Sequence, residues 1–161
     1  MELLKAGSLS PLLVLDLLLR GEAAIPGVDL IGQRVGSRGV VVGSDADTVY
    51  TIRVGATPSE VLLAALQDLA WLKEEESLVR AIFPQTARPL TGVILVADLF
   101  PSGFSSLRQE LSFPCRFFRW IALGDLACPS LVFEPYPPSI SGSGTAVERT
   151  TEEEERFFSS W

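Results

Sequence analysis

Three aspartates and one nearby arginine are the residues whose types and spacing could do chemistry in this sequence. Asp45 and Asp47 lie two positions apart in a turn-like segment, Arg53 follows in a valine-rich run, and Asp68 comes later. Carboxylate oxygens are the ligands that Mg²⁺ prefers, and a bound cation can activate water. The sequence contains no histidine, which excludes histidine acid–base chemistry, the Ser-His-Asp triad and the usual zinc sites. Hydrolysis would therefore depend on carboxylates and a hard cation.

A hairpin and a helix must position these residues. Valine and isoleucine flank the Gly-Ser-Asp-Ala-Asp segment at 43–47, which is typical of a β-hairpin and predicts strands over 39–42 and 48–54. The Thr-Pro-Ser-Glu segment at 57–60 supplies a cap residue, a proline for the first turn and an early acid. It predicts a helix over 58–75, on which Asp68 could face the second of these strands.

The remaining elements alternate between helix and strand. Helices are predicted over 11–20, 76–83 and 102–111, and strands over 28–35, 92–97, 115–123 and 131–133. The apolar run at 92–97 is typical of a strand covered on both faces of a sheet. This order predicts an α/β fold with a mixed central sheet flanked by helices.

Composition limits the class of protein. The chain of 161 residues fits one domain, predicted over 1–138, and its net charge of −7 disfavours sequence-independent binding to nucleic acid. The apolar run at 12–19 is interrupted by Asp16 and is too short to cross a bilayer. Without a secretory signal pattern, we expect a cytoplasmic protein without a membrane segment, in which Cys115 and Cys128 are reduced and mostly buried.

The end of the sequence has a different composition. Residues 139–145 (SISGSGT) are predicted to form a flexible linker, and residues 146–161 form an acidic and aromatic tail. Large aromatic residues in a tail are expected to be covered by something. We therefore interpret Phe157, Phe158 and Trp161 as partner-binding residues. They could fold back on their own domain, contact a second copy of the chain, or dock on another protein.

The segment 25–55 (IPGVDLIGQRVGSRGVVVGSDADTVYTIRVG) resembles the restriction-endonuclease-like, or PD-(D/E)XK, superfamily in the form found in NucS-type small DNA nucleases. The pattern of elements extends the resemblance over 11–138. In that family a helix precedes a strand of the form PGL-x-LI. A strand with an aspartate, a turn and a strand ending in E-x-K follow. The resemblance implies a restriction-endonuclease-like fold and Mg²⁺-dependent cleavage of DNA.

The residues that would perform this chemistry are replaced in this chain. Val40 falls at the aspartate position, and Thr51-Ile52-Arg53 replaces E-x-K. Ala64 and Asp68 fall where a later helix of the family carries glutamine and tyrosine. Valine cannot bind Mg²⁺, and arginine holds its proton too tightly to act as a proton shuttle. The positions Val40, Thr51, Arg53 and Ala64 therefore indicate a degenerate site with no catalytic residue and no cofactor.

Three hypotheses follow from these observations. The first is a non-catalytic nuclease-like domain that serves as a binding or scaffolding module, which leaves enzymatic activity uncertain and less expected than its absence. The alternative is a DNA nuclease in which Asp45, Asp47 and Asp68 hold a relocated Mg²⁺ beside Arg53. The third is an oligomer in which the tail docks on a neighbouring subunit.

Overall fold

A computed structural model of the chain describes residues 3–5, 7–82 and 89–138. Its elements, in chain order, are α1 Pro11–Leu19, β1 Asp29–Leu30, β2 Val41–Ser44, β3 Thr48–Gly55, α2 Pro58–Glu74, α3 Glu76–Ile82, β4 Leu90–Ala97, a 3₁₀ helix Phe104–Glu110, β5 Cys115–Asp125 and β6 Cys128–Pro135. The predicted α/β class with a mixed sheet is confirmed. The predicted linker 139–145 and tail 146–161 lie outside the described residues.

The six strands lie side by side in the order of the sequence. Strand β2 runs antiparallel to both β1 and β3, strands β3, β4 and β5 are parallel, and β6 returns antiparallel to β5. Parallel neighbours need a crossover, which α2 and α3 supply between β3 and β4, and the 3₁₀ helix supplies between β4 and β5. In this register Arg53 lies opposite Leu95, and Leu95 lies opposite Phe117.

The two faces of the sheet are covered by different helices. Successive side chains of a strand point to opposite faces, so Tyr50 and Ile52 pack on the α1 side while Val49 and Thr51 face α2. On the α1 side, the core includes Val14, Leu18, Ile94, Val96, Phe118 and Trp120. On the α2 side, Ala65 and Leu69 pack with β4 and β5, and Leu72 packs with β2 and β3.

Local signals place both main helices close to their predicted bounds. Ser10 caps α1 by accepting a hydrogen bond from the Leu13 backbone, and Gly21 follows the helix with φ +76°. Helix α2 begins with Pro58 in its first turn, as the sequence predicts. Among the described residues, no helix combines the length and the apolar character that a membrane span requires.

Several predicted bounds are wrong. The strand expected over 28–35 is reduced to the two residues of β1, because the chain turns into a second, tight hairpin in which Val35 pairs with Val40. The short final strand expected over 131–133 is instead the whole of β6, which pairs with β5 along its length. The helix expected over 102–111 is a shorter 3₁₀ helix that follows Gly103 with φ +81°.

Among the described strands, the outer edge of β6 is the longest unpaired edge of the sheet, and its prolines limit its ability to pair. The Tyr136 N–H donates to the Phe117 carbonyl, so alternation points the backbone groups of Pro129, Leu131, Phe133 and Pro135 outward. Two of these four residues have no N–H to donate. Proline at outward-facing positions is a known protection of edge strands against pairing with another chain.

Candidate functional site

The candidate site is built around a carboxylate that is wholly buried. Asp68 lies on α2, and its residue is 0% exposed to solvent. A charged carboxylate is costly to bury unless hydrogen bonds and opposite charges surround it. The helical period brings Asp68 onto the face of α2 that packs against the sheet, beside the buried Ala65, Leu69 and Leu72.

Two arginines occupy both oxygens of this carboxylate. Arg53 donates from Nε to Oδ2 at 2.7 Å and from Nη2 to Oδ1 at 3.1 Å. Arg38 donates from Nη2 to Oδ1 at 3.0 Å. The paired arrangement of Arg53 is the geometry that the planar guanidinium favours with carboxylates. Its hydrogen bond to Asp68 is the main reason that the pKa of Arg53 is raised above its ordinary value.

A tight hairpin brings Arg38 to Asp68. Gly36 and Gly39 flank the turn and adopt φ angles of +74° and +67°, a region that residues with a Cβ rarely enter. The turn packs on Trp71, one helical turn beyond Asp68, so closely that a Cβ on Gly36 would lie 2.6 Å from Trp71 Cζ2. Glycine is therefore needed for this contact, which fixes the distance between Arg38 and the helix.

The other positions implied by the resemblance hold no ligand. Val40 is 1% exposed and packs with Leu72, while Thr51 is 0% exposed on the face of β3 that carries Arg53. The Thr51 hydroxyl is buried and has no hydrogen-bond partner among the described residues. Ala64 lies one turn before Asp68 and is half-buried. No free carboxylate is available here, so these residues do not fit Mg²⁺.

The Asp45 side chain stabilises the turn before β3, at the end of this strand opposite to Arg53. Its Oδ1 accepts hydrogen bonds from the backbone N–H groups of Asp47 and Thr48, which closes the turn between β2 and β3. Its Oδ2 accepts from the Tyr50 hydroxyl at 2.8 Å and from Arg116 at 3.3 Å. Asp47 is exposed, and its Oδ1 accepts from the Thr48 hydroxyl.

These contacts determine the protonation states of Asp45 and Tyr50. Burial raises the pKa of Asp45, but the hydrogen bonds from Tyr50 and the backbone, together with Arg116, outweigh it and leave the pKa lowered. Burial and the neighbouring Asp45 carboxylate raise the pKa of Tyr50. Asp45 therefore stays ionised and Tyr50 stays protonated near neutral pH.

The structure does not bring the three aspartates of the alternative metal site together. Asp45 and Asp47 lie before β3 begins, whereas Asp68 contacts Arg53 near its end. Within residues 3–5, 7–82 and 89–138, no group of three acidic, cysteine or histidine side chains is arranged to hold a metal ion. The predicted cluster of Asp45, Asp47 and Asp68 is therefore absent from the described part of the chain.

The surface beside Asp68 carries an excess of positive charge. The side chains of Arg53 and Arg38 remain 34% and 38% exposed, although both contact the buried carboxylate. We call Arg38 and Arg53 the arginine cluster. Two guanidinium groups and one carboxylate leave a local excess of positive charge that can attract an anion, although the whole chain is acidic.

Sequence reasoning identified Arg53 and Asp68 but missed Arg38 as part of the site. The available signal was the pair of glycines on either side of Ser37-Arg38, which predicts a tight turn that presents its side chains. The prediction that both cysteines are mostly buried is wrong for one of them: Cys115 is buried in the sheet, and Cys128 is exposed at the start of the edge strand. Phe157, Phe158 and Trp161 lie outside the described residues.

Comparisons of the chain with models of protein families, with curated proteins and with solved structures give no match.

Proposed function

We propose that this chain is a nuclease-like domain without catalytic activity, which serves as a binding module for an anionic group. One observation carries the proposal: both oxygens of the buried Asp68 carboxylate are occupied by Arg53 and Arg38. A metal-dependent nuclease needs free carboxylates to hold its cations. The positions that the resemblance gives to those ligands are Val40 and Thr51, and the buried carboxylate beside them, Asp68, is bound by two arginines.

The order of the elements supports the restriction-endonuclease-like part of the proposal. A helix precedes three antiparallel strands, and a long helix then leads to a fourth strand that is parallel to the third. The family resemblance implies this succession of a helix, a hairpin and a helix that faces the site. Because one fold can carry many activities, this topology alone does not assign a function.

The arginine cluster supports the proposal that the ligand of this site is an anion. Arg53 Nη1 and the Nε and Nη1 groups of Arg38 donate to no other described residue, so they are available to a ligand. Guanidinium donors suit the planar or tetrahedral oxygens of carboxylates and phosphates. Asp68 orients the two arginines, so their side chains lose less conformational entropy when a ligand binds.

Two assays test this function. Cleavage of single- and double-stranded DNA is measured with Mg²⁺ or Mn²⁺, and we expect none. Binding of inorganic phosphate and of a 5′-phosphorylated oligonucleotide is then followed by the rise in melting temperature. We expect a rise that Arg38→Gln reduces and that Arg80→Gln, on the exposed surface of α3, leaves unchanged.

The nuclease alternative predicts a different result. Cleavage that is lost on Asp45→Ala, Asp47→Ala or Asp68→Ala would replace the binding proposal. If phosphate and the oligonucleotide leave the melting temperature of the wild type unchanged, the anion-binding part of the proposal is wrong.

A further inference from the structure

The hairpin of β5 and β6 extends beyond the rest of the sheet. Strand β4 ends at Ala97, opposite Arg119, while β5 continues to Asp125. Past this point β5 pairs with β6 on one side. On its other side, among the described residues, Leu3 forms a bridge to Leu123 and the Leu4 N–H donates to the Ala122 carbonyl. Further stabilisation of the hairpin therefore has to come mainly from packing on its faces.

The described residues cover only one of these faces. Trp120, Ala122 and Phe133 point towards α1 and are between 4% and 6% exposed. The opposite face carries Ile121, Leu123 and Val132, because side chains alternate along each strand and Ile121 pairs directly with Val132. None of these three residues joins a core cluster within the described part of the chain.

We call the uncovered set Leu3, Ile121, Leu123 and Val132 the hairpin patch. Leu3 is 69% exposed and Val132 is 47% exposed, while Ile121 and Leu123 are half-buried. Helix α2 packs on β3 and β4 and leaves this part of the sheet free. At the base of the patch, Arg119 and Glu134 form a partly exposed ion pair at 3.5 Å. Contiguous apolar side chains with a polar border are typical of a docking surface.

The edge of the hairpin favours an occupant that binds through side chains. Pro129 and Pro135 remove outward N–H groups from β6, so a partner strand would find only those of Leu131 and Phe133. The face, in contrast, offers branched aliphatic side chains. Aromatic side chains pack well on such a surface because they cover a large apolar area with few rotatable bonds.

The sequence holds such an occupant close to the patch. The described chain ends at Pro138, three residues after β6, and Phe157, Phe158 and Trp161 follow. Val132 lies six residues before Pro138, which is at most about 20 Å along the chain. The 18 residues of the connection (139–156) can span at most about 60 Å. The aromatic residues can therefore reach the patch of their own chain.

We propose that Phe157, Phe158 and Trp161 dock on the hairpin patch of the same chain. The tether favours this arrangement over a second copy, because it gives a short connection an effective concentration near millimolar. Docking buries the aliphatic residues of the patch and gives the overhanging hairpin a second covered face. This inference does not depend on the arginine cluster, whose residues belong to β3 and to the turn before β2.

A disulfide trap tests the proposal in the full chain. Cys128 is exposed and lies on the same face of β6 as Val132, so it is a native probe of the patch. Cys115 is buried, and burial raises its pKa to about 11, so it remains an unreactive thiol near neutral pH. In the variant Ser159→Cys, oxidised glutathione should form a disulfide between residues 128 and 159 within one chain. Mass spectrometry after proteolysis identifies the bond.

The tether alone gives a background rate, which a matched variant measures. In Ser159→Cys with Phe157, Phe158 and Trp161 changed to serine, we expect the disulfide to form about tenfold more slowly, since anchoring is lost. Val132→Glu should slow it to a similar extent. Leu63→Glu, at an exposed leucine on α2 outside the patch, should not. Equal rates with and without the aromatic residues would overturn the proposal.

Two further results also decide the question. Disulfides between chains that disappear on dilution would show docking on a second copy and overturn the proposal for a single chain. Labelling of native Cys128 by a thiol reagent is a second test, and it requires no substitution in the hairpin patch. We expect it to be several-fold slower in the wild type than in the variant with three serines, and equal labelling rates would contradict docking.

Discussion

Arg53 and Asp68 form a paired ion contact across the interface between β3 and α2, with Nε–Oδ2 and Nη2–Oδ1 distances of 2.7 and 3.1 Å. The carboxylate is 1% exposed, whereas the guanidinium side chain is 34% exposed. Both oxygens of the buried Asp68 carboxylate therefore accept hydrogen bonds from arginine. The more exposed Arg53 guanidinium keeps N–H donors for a ligand. This asymmetry is the basis of our proposal that the site binds an anion and not a metal ion.

Removing the charge of Asp68 should destabilise the fold. In Asp68→Asn the two arginines lose their counter-charge in a poorly hydrated place, so we expect a loss of about 2–3 kcal/mol in the free energy of unfolding. Urea denaturation measures it. Arg80→Gln, which breaks an exposed ion pair of 3.9 Å on α3, is the control and should cost less than about 0.5 kcal/mol. A loss no larger than that of the control would show that the network does not stabilise the fold.

The two buried threonines of β3 should respond in opposite ways to the same substitution. The Thr51 hydroxyl has no partner among the described residues, whereas the Thr48 hydroxyl donates to Asp47 at 2.9 Å. Thr51→Val removes an unsatisfied group and should leave stability unchanged or raise it by up to about 1 kcal/mol. Thr48→Val should lower it by about 1 kcal/mol. A clear loss in Thr51→Val would mean that its hydroxyl has a partner in solution.

Substitution by alanine should destabilise the fold more at Gly36 than at Gly103, a glycine of similar backbone conformation. Gly36 and Gly103 have φ angles of +74° and +81°, so alanine brings a backbone cost of about 1–2 kcal/mol at either position. Only at Gly36 would the new methyl group contact Trp71, whereas at Gly103 it meets nothing within 4 Å. Gly36→Ala should therefore cost at least about 1 kcal/mol more and change the Trp71 emission. Equal costs would contradict the described packing of the hairpin.

Asp45 should contribute to stability except in acid. Its pKa is lowered in the folded state, so the unfolded state binds the proton more tightly. Its contribution is present above the ordinary value of 3.8 and is lost as the pH falls through the lower folded-state pKa. Asp45→Asn should flatten this acid part of the stability curve, measured by urea midpoints. Asp16→Asn, which loses only an exposed ion pair with Arg20, should keep the slope.

The sequence predicts those elements whose signals are local. Proline and threonine at the start of α2 and the valine-rich alternation of β3 give their bounds within one or two residues. The expectation that Asp68 could face β3 also depends only on the helical period, and its contact with Arg53 agrees with it. Patterns of this kind need no information from distant parts of the chain.

The features that were missed depend on long-range contacts. Arg38 meets Asp68 only because a tight turn folds back over Trp71, and no periodic pattern encodes that approach. The full length of β6 follows from its pairing with β5, which extends past the other strands. The exposure of Cys128 has the same cause, since it lies on the face of that hairpin that the described elements leave uncovered.

The most direct test of the central claim is the melting temperature of the wild type in millimolar Mg²⁺ or Mn²⁺, compared with NaCl of equal ionic strength. Asp45→Ala/Asp47→Ala is measured beside it. Because Asp68 is bound by two arginines, we expect neither cation to change the melting temperature of either protein. A rise of several degrees in the wild type, lost in the double variant, would reveal a metal site built from the turn aspartates and would contradict our account.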